Sequence, residues 1–289
     1  MEERRASDQR RHFERHHFEE EMQALKNRLL NMGALVEERV HDATNALIER
    51  RLDTAERIIA SDQEINDLQI EIDERCLRLL ALQQPMASDL RLITAAMKIN
   101  ADLERIGDQA VNIAEQAARI LAHPPLKPII DLPRMAEISE RMTRESLDAF
   151  VRKDAKLARS ILARDDEVDQ LKDQVFRVLL TYMMADPGTI ERALGLILIS
   201  RHLERIADHA TNIAEDIIFW VRGLDVRHGR GLSLRPERSE EQRQSELASQ
   251  AVGGEARRGM RTEAAAAEVI ENSHAFDATV TPACDTDRA

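Results

Sequence analysis

Apolar residues recur every three or four positions over long stretches of the chain, which is the period of amphipathic α-helices. The first such stripe contains Phe18, Met22, Leu25, Leu29, Met32, Val36 and Val40. A polar break around residues 50–54 follows, and a second stripe runs from Ala55 to Leu80. The pattern predicts two long helices in this part of the chain.

Proline marks where the next helices begin and end. Pro85 ends the second helix, because proline disfavours helical backbone at the preceding residue and donates no hydrogen bond. A third helix, for which Ser88 is a candidate cap, is predicted to reach about Leu121, where the prolines of HPPLKP (123–128) impose an extended linker. Three further helices follow the same scheme. Their boundaries are predicted near Leu132, Lys153-Asp154, Asp186-Pro187-Gly188 and Val221-Arg222-Gly223.

The two halves of the chain are copies of one unit. DLERIGDQAVNIAE (102–115) and HLERIADHATNIAE (202–215) are identical at ten of fourteen positions. Fainter similarity continues upstream, where SDQEINDLQIEI (61–72) aligns with RDDEVDQLKDQV (164–175). Such self-similarity at a fixed offset indicates an internal duplication.

These patterns predict an all-α protein built from two tandem, pseudo-symmetric three-helix bundles with six long helices. We assign residues 1–124 to the first bundle and 125–230 to the second. Residues 231–289 contain few large apolar side chains and show no sustained periodicity. Such a segment cannot bury enough surface to offset its ordering entropy, so we predict a mostly disordered tail.

Composition and charge exclude several classes of protein. The net charge of −12 argues against nucleic-acid binding, which normally requires a basic face. No uncharged apolar run approaches the roughly 20 residues that span a bilayer, and the N-terminus has no apolar signal segment. We therefore expect a cytoplasmic protein without a transmembrane segment. Cys76 and Cys284 are too few for a disulfide framework, and Cys76 is predicted to be an inert packed thiol.

An acidic stripe occurs in both copies. On a wheel of 100° per residue, the four oxygen-bearing side chains of each copy fall within about 80° of one another, opposite the apolar face. They are Glu104, Asp108, Asn112 and Glu115 in the first copy, and Glu204, Asp208, Asn212 and Glu215 in the second. Carboxylates four residues apart repel each other unless they are compensated. Their oxygens favour a divalent or trivalent metal ion, with Mg²⁺, Mn²⁺ or Ca²⁺ preferred and iron or zinc left open.

The alternative interpretation is that each stripe is only the water-facing side of an amphipathic helix. Two features argue against it. The stripe residues are retained in both copies, whereas neighbours such as Gln109 and His209 differ. The same sector is apolar upstream and is expected to be packed, with Leu90, Met97 and Ala101 in one copy and Ile190, Ala193 and Ile197 in the other. His209 could add a nitrogen ligand, but a solvated histidine is the favoured interpretation.

The paired motifs LERIGD…NIAE and LERIAD…NIAE resemble the PhoU family of phosphate-signalling regulators. The resemblance covers nearly all of residues 15–228. It includes NMGALVEERV (31–40), QPMASDLR (84–91), TYMMADPGTI (181–190) and WVRGLDVRH (220–228). The resemblance implies metal binding at the two ExxxD motifs, which places Glu104 and Asp108 in one site and Glu204 and Asp208 in the other. The remaining four stripe residues extend these sites by helical spacing alone.

The resemblance also implies a role in phosphate homeostasis. It predicts a non-enzymatic protein that restrains phosphate uptake and the phosphate-starvation response. The partners it implies are the ABC-type ATPase of the phosphate importer and the phosphate-sensing histidine kinase at the membrane. Long helices with apolar faces also favour a homodimer.

Two other functions are considered. One is a carboxylate-bridged di-metal enzyme, but such sites use Glu-x-x-His pairs. The residues three after Glu104 and Glu204 are Gly107 and Ala207. The sequence also shows no phosphate-binding loop and no catalytic Ser/His/Asp pattern. The other alternative is a helical adaptor that binds no metal, and the sequence leaves it open.

Overall fold

The computed structural model describes residues 2–83, 85–126 and 131–227, with side chains described from residue 16 onward except that of Gln83. All regular secondary structure in these ranges is helical, as predicted. The predicted tail, residues 231–289, and with it Cys284, lies outside the described residues. No helix within the described ranges has an apolar stretch long enough to cross a bilayer.

Each repeat contains a long first helix, an interrupted middle helix and a long last helix. In the first repeat these are α1 (Glu2–Ile48), α2 (Leu52–Ala60) with α3 (Gln63–Gln83), and α4 (Ser88–Leu121). In the second repeat they are α5 (Leu132–Arg152), α6 (Ala155–Leu162) with α7 (Asp165–Ala185), and α8 (Ile190–Arg222). A short 3₁₀ turn, Pro187–Thr189, precedes α8.

The interruption of the middle helix is a feature that periodicity did not predict. The stripe from Ala55 to Leu80 indicates one helix, but the structure has a turn at Ser61 and Asp62. Arg39 Nη2 donates a hydrogen bond to the Ser61 carbonyl at 2.7 Å. This contact satisfies a carbonyl at the chain turn, where the regular helical pattern of hydrogen bonds is broken. Periodicity misses such a turn because the apolar spacing continues across it.

The first helix of each repeat ends in the same way. Arg50 and Lys153 adopt left-handed backbone conformations, with φ values of 58° and 54°. The following residue donates its N–H to the carbonyl five residues earlier, from Arg51 to Ala46 and from Asp154 to Ala149. This is the hydrogen-bond pattern of a Schellman cap. The duplication is therefore visible in backbone geometry as well as in sequence.

The last helices form the centre of the molecule. α4 packs on α1, α2 and α3, α8 packs on α5, α6 and α7, and the two central helices pack on each other. Many of their apolar residues are fully or almost fully buried, including Ile99, Leu103, Ile106, Ile113, Leu203, Ile206 and Ile213. α1 also contacts α5. All described residues thus belong to one compact unit.

The helical stripe of α1 lies in this core as predicted. Leu25, Leu29, Met32, Val36 and Val40 have no exposed surface. Cys76 is also buried, and its burial, followed by the negative charge of Asp73, raises the pKa of its thiol to about 12. The thiol therefore stays protonated near neutral pH, as expected for an inert packed cysteine.

Candidate functional site

The first acidic cluster consists of Asp62, Glu104 and Asp108. Asp62 lies in the turn between α2 and α3, and the other two residues lie one helical turn apart on α4. Burial, followed by the charge of Asp108, raises the pKa of Glu104, and the charge of Asp62 also contributes. Burial and then the charge of Asp62 raise the pKa of Asp108. Three half-buried carboxylates on two elements therefore repel one another.

Arg39 approaches this cluster from α1. Its side chain is only 6% exposed, and Nη1 lies 3.9 Å from Oδ1 of Asp62. This nitrogen is buried and has no hydrogen-bond partner among the described residues. A buried donor normally has an acceptor, so this nitrogen is an exception: its charge faces Asp62 without a hydrogen bond.

The second acidic cluster consists of Asp165, Asp169, Glu204 and Asp208. The first two lie in the first turns of α7 and the other two on α8. Burial, followed by the charges of Asp208 and Asp169, raises the pKa of Asp165 to about 6. Burial and the charge of Glu204 raise the pKa of Asp208. The two repeats thus place an acidic pair on the last helix against an acidic residue at the break in the middle helix.

A cation is already present in the second acidic cluster. Lys172 Nζ lies 2.7 Å from Oδ1 of Asp169 and 2.9 Å from Oε1 of Glu204. The hydrogen bond that Lys172 donates to Asp169, and then the one it donates to Glu204, raise the pKa of Lys172, so the side chain stays an ammonium at neutral pH. It bridges α7 and α8 inside the cluster.

Sequence reasoning missed the contribution of the middle helix. Asp62 and Asp165 occupy the same position in the aligned segments SDQEIND and RDDEVDQ. An acidic residue retained in both copies just before an apolar helical stripe was the signal that could have identified them. The sequence does not show which residues lie next to Asp62 and Asp165, because no local pattern indicates that this turn faces the last helix.

The outer stripe residues of α8 lie apart from its ExxxD pair. Asn212 donates to Oδ1 of Asp102 on α4 at 3.4 Å. Glu215 lines a groove between α4 and α8 together with Lys98, Arg105 and Arg227. The structure therefore brings Glu204 and Asp208 together with the turn before α7. It places Asn212 and Glu215 towards α4.

On α4, Asn112 and Glu115 are half-buried. Within the described part of the chain, neither makes a side-chain hydrogen bond or ion pair with Asp62, Glu104 or Asp108. The apolar sector upstream of the stripes is less packed than predicted. Ala193 is buried, but Leu90 and Ile190 are more than 40% exposed.

The prediction of a solvated His209 is wrong. Its side chain is 16% exposed, and Nδ1 lies 2.9 Å from Oδ1 of Asp102 across the α4–α8 contact. A matching pair joins His202 Nδ1 to Gln109 Oε1 at 2.8 Å. Residues 102 and 202 are equivalent in the two copies, as are 109 and 209, so the two contacts are related by the pseudo-symmetry of the repeats. Helical spacing could not show that this edge of α8 is covered by α4.

The clusters suit a hard cation in the chemistry of their donors. Each supplies several carboxylate oxygens, which are the ligands that hard cations prefer. Among the described side chains, no three carboxylate, imidazole or thiol groups converge closely enough to form a ready-made metal site. Binding would therefore require rotation of these side chains, which half-buried carboxylates at a helix surface can make.

Comparison with known proteins relates both repeats to one family. A family model described as the PhoU domain matches residues 29–117 and 132–217. The chain is 44% identical over 212 residues to the phosphate-specific transport system accessory protein PhoU homolog of Pseudomonas aeruginosa, covering 73% of this chain and 88% of that protein. It is 38% identical over 219 residues to the accessory protein PhoU of Escherichia coli K12, covering 75% and 90%.

Solved structures give the same result. The crystal structure of PhoU from Pseudomonas aeruginosa superposes with a TM-score of 0.70 at 43% identity, covering 72% of this chain and all of that one. The phosphate transport system regulatory protein PhoU from Streptococcus pneumoniae superposes with a TM-score of 0.68 at 34% identity, covering 72% and 99%. Since the domain model matches more than half of the sequence, and the relatives match over most of their own length, the chain belongs to the PhoU family.

Proposed function

We propose that this protein is a cytoplasmic regulator of a phosphate-specific transport system, which restrains phosphate uptake and the phosphate-starvation response when phosphate is plentiful. Its relatives in Pseudomonas aeruginosa and Escherichia coli are named as accessory proteins of such a system. The observation that supports a regulatory role best is the match of both repeats to the PhoU domain and of the chain to these relatives over most of their length. The proposed partners are the ATPase of the importer and the sensor histidine kinase, and the proposed assembly is a homodimer.

The family consists of accessory regulatory proteins, so the prediction of a non-enzymatic protein is confirmed. The local chemistry agrees with that assignment. The residues three after Glu104 and Glu204 are Gly107 and Ala207, both buried. His209, the histidine nearest to the second ExxxD pair in sequence, contacts Asp102 on the opposite helix. The alternative of a di-metal enzyme with Glu-x-x-His pairs therefore has no support in the described residues.

We also propose that each acidic cluster holds a metal ion. Glu104 and Asp108, with Asp62, would hold it in the first repeat, and Glu204 and Asp208, with Asp165, in the second. A hard cation would neutralise the repelling carboxylates and so join the turn of the middle helix to the last helix. The chain itself supplies the oxygen ligands and their rigid spacing along α4 and α8. Asn112, Glu115, Asn212 and Glu215 are proposed only as outer residues of these sites.

The regulatory proposal is tested in cells that lack the endogenous gene. Uptake of radiolabelled phosphate and a starvation-response reporter are measured with and without the wild-type chain under phosphate-replete conditions. We expect the chain to lower both signals. Co-purification from the same cells should recover the importer ATPase and the histidine kinase. Unchanged uptake and reporter activity, with neither partner recovered, would contradict the proposal.

The metal proposal is tested with the variant Glu104→Gln/Asp108→Asn. These substitutions keep side-chain size and remove two charges, so we expect loss of the metal bound to the first repeat. The measurement is elemental analysis of protein purified without chelator or nickel affinity. The control is Glu56→Gln, an exposed glutamate on α2, which should leave the metal content unchanged. If the wild-type protein contained no metal and bound none on titration, the metal-free adaptor would be the correct alternative.

A further inference from the structure

The two acidic clusters differ at one pair of equivalent positions. Gln69 in the first repeat aligns with Lys172 in the second, and both side chains are half-buried on the helix that follows the turn. Lys172 reaches the ExxxD glutamate of its repeat, Glu204, at 2.9 Å. The equivalent glutamate of the first repeat is Glu104, and the residue equivalent to Lys172 is the neutral Gln69. The duplicated site therefore contains an ammonium in one copy only.

The first repeat has a cation too, but in another place. Arg39 extends from α1, and its guanidinium lies 3.9 Å from Asp62 and hydrogen-bonds the Ser61 carbonyl. The residue aligned with Arg39 in the second repeat is Met142, which is fully buried. Arg39 thus approaches the turn side of its cluster, whereas Lys172 lies between Asp169 and Glu204.

The position of Lys172 bears directly on metal binding. An ammonium is a compact point charge with three donors, so it can satisfy carboxylate oxygens much as a metal ion does. The oxygen of Glu204 that it contacts is one of the oxygens expected to bind the metal. Two cations cannot share this oxygen without strong mutual repulsion at such short range.

We propose that the Lys172 ammonium is a built-in counter-cation of the second acidic cluster, which a metal ion must displace from Glu204 in order to bind. This inference rests on the proposed metal-binding function. It makes the two sites of one chain unequal, because position 69 offers no competing charge. It also makes metal binding in the second repeat a switch, since the ion releases Lys172 from its bridge between α7 and α8.

The test is a calorimetric titration of the full chain with Mn²⁺. The background variant Glu104→Gln/Asp108→Asn removes Mn²⁺ binding to the first cluster, so that the titration measures binding to the second cluster alone. Adding Lys172→Gln, which installs the residue of the first repeat, should tighten Mn²⁺ binding roughly ten-fold, because a unit positive charge beside the ion is removed. Lys172→Arg keeps the charge and should leave the affinity close to that of the background.

The reverse exchange provides an independent measurement. In the background Glu204→Gln/Asp208→Asn, the variant Gln69→Lys should weaken Mn²⁺ binding to the first cluster by a similar factor. Thermal unfolding in chelator checks that each variant is folded. Mn²⁺ should raise the melting temperature of the Lys172→Gln variant more than that of its background.

The outcomes separate the inference from the function on which it rests. If the backgrounds bind Mn²⁺ and neither exchange at positions 69 and 172 changes the affinity, the counter-cation is disproved while the metal sites stand. If no variant binds Mn²⁺ and the wild-type chain binds none, both proposals are overturned. Binding that appears in the second cluster only after Lys172→Gln supports the inference in its strongest form.

Discussion

At the scale of single residues, the two repeats solve one packing problem in two ways. A Cβ atom placed on Gly107 would lie 2.9 Å from Cδ1 of Ile65. The second repeat has Ala207 at the equivalent position, and there the residue aligned with Ile65 is the smaller Val168. Both pairs are buried between the middle helix and the last helix. Glycine with isoleucine and alanine with valine therefore fill similar space.

This pairing predicts a coupling that can be measured. Gly107→Ala gains up to about 1 kcal/mol of helix propensity but overpacks the site by about 1–3 kcal/mol, so we expect a small loss of unfolding free energy. Ile65→Val alone should cost about 1 kcal/mol. The double variant should be more stable than the sum of the single effects predicts. Urea unfolding of the four proteins in chelator gives the coupling, and simple additivity would contradict this account.

At the scale of elements, short helices depend on their ends. α6 has only eight residues, and the Asp154 side chain accepts hydrogen bonds from the backbone N–H groups of Lys156 and Leu157 at 2.9 and 3.0 Å. These bonds, that from Leu157 first, hold the pKa of Asp154 below its usual range. Such an N-cap satisfies donors that an isolated helix turn leaves free. The cap therefore stabilises the start of α6 directly after Lys153, whose backbone is left-handed.

Removing this cap should produce a pH-dependent loss of stability. A carboxyl group with a lowered pKa in the folded state stabilises the protein above its unfolded pKa, near 3.9, and loses that effect as pH falls through the folded value. We therefore expect Asp154→Ala to be less stable than wild type at pH 7, with a smaller difference at pH 3. Asp154→Asn can still cap and serves as the control. A difference between wild type and Asp154→Ala that grew towards pH 3 would contradict the cap.

At the scale of the whole molecule, polar pairs fix the register of the repeats. Apolar residues of α4 and α8 supply the area of contact, but they would permit the helices to slide by one turn. The pairs Asp102–His209 and Gln109–His202 lie across this contact. Their side chains can form these hydrogen bonds in one register of the two helices only. Because Asp102 and His209 are largely buried, losing either leaves a polar group without a partner.

Breaking the first pair should destabilise the whole unit. We expect Asp102→Ala to lower the unfolding free energy by about 1–3 kcal/mol, the cost of an unsatisfied buried polar group. Asp102→Asn keeps an acceptor for His209 and should cost less. Denaturant unfolding followed by circular dichroism measures both. Equal stability of the alanine variant and wild type would show that the pair does not hold the repeats together.

The sequence by itself determined the helical class, the duplication, the helix ends at prolines and glycines, and the acidic ExxxD pairs. These features are local, because helical periodicity and turn chemistry act over a few residues, and a duplication is visible by alignment. Only the tertiary structure decided that Asp62 and Asp165 face those pairs, that Lys172 bridges to Glu204, and that His209 meets Asp102. Such contacts join residues about 30 to 110 positions apart in the chain. They depend on how helices pack and where the middle helix breaks, which one stripe of apolar residues cannot encode.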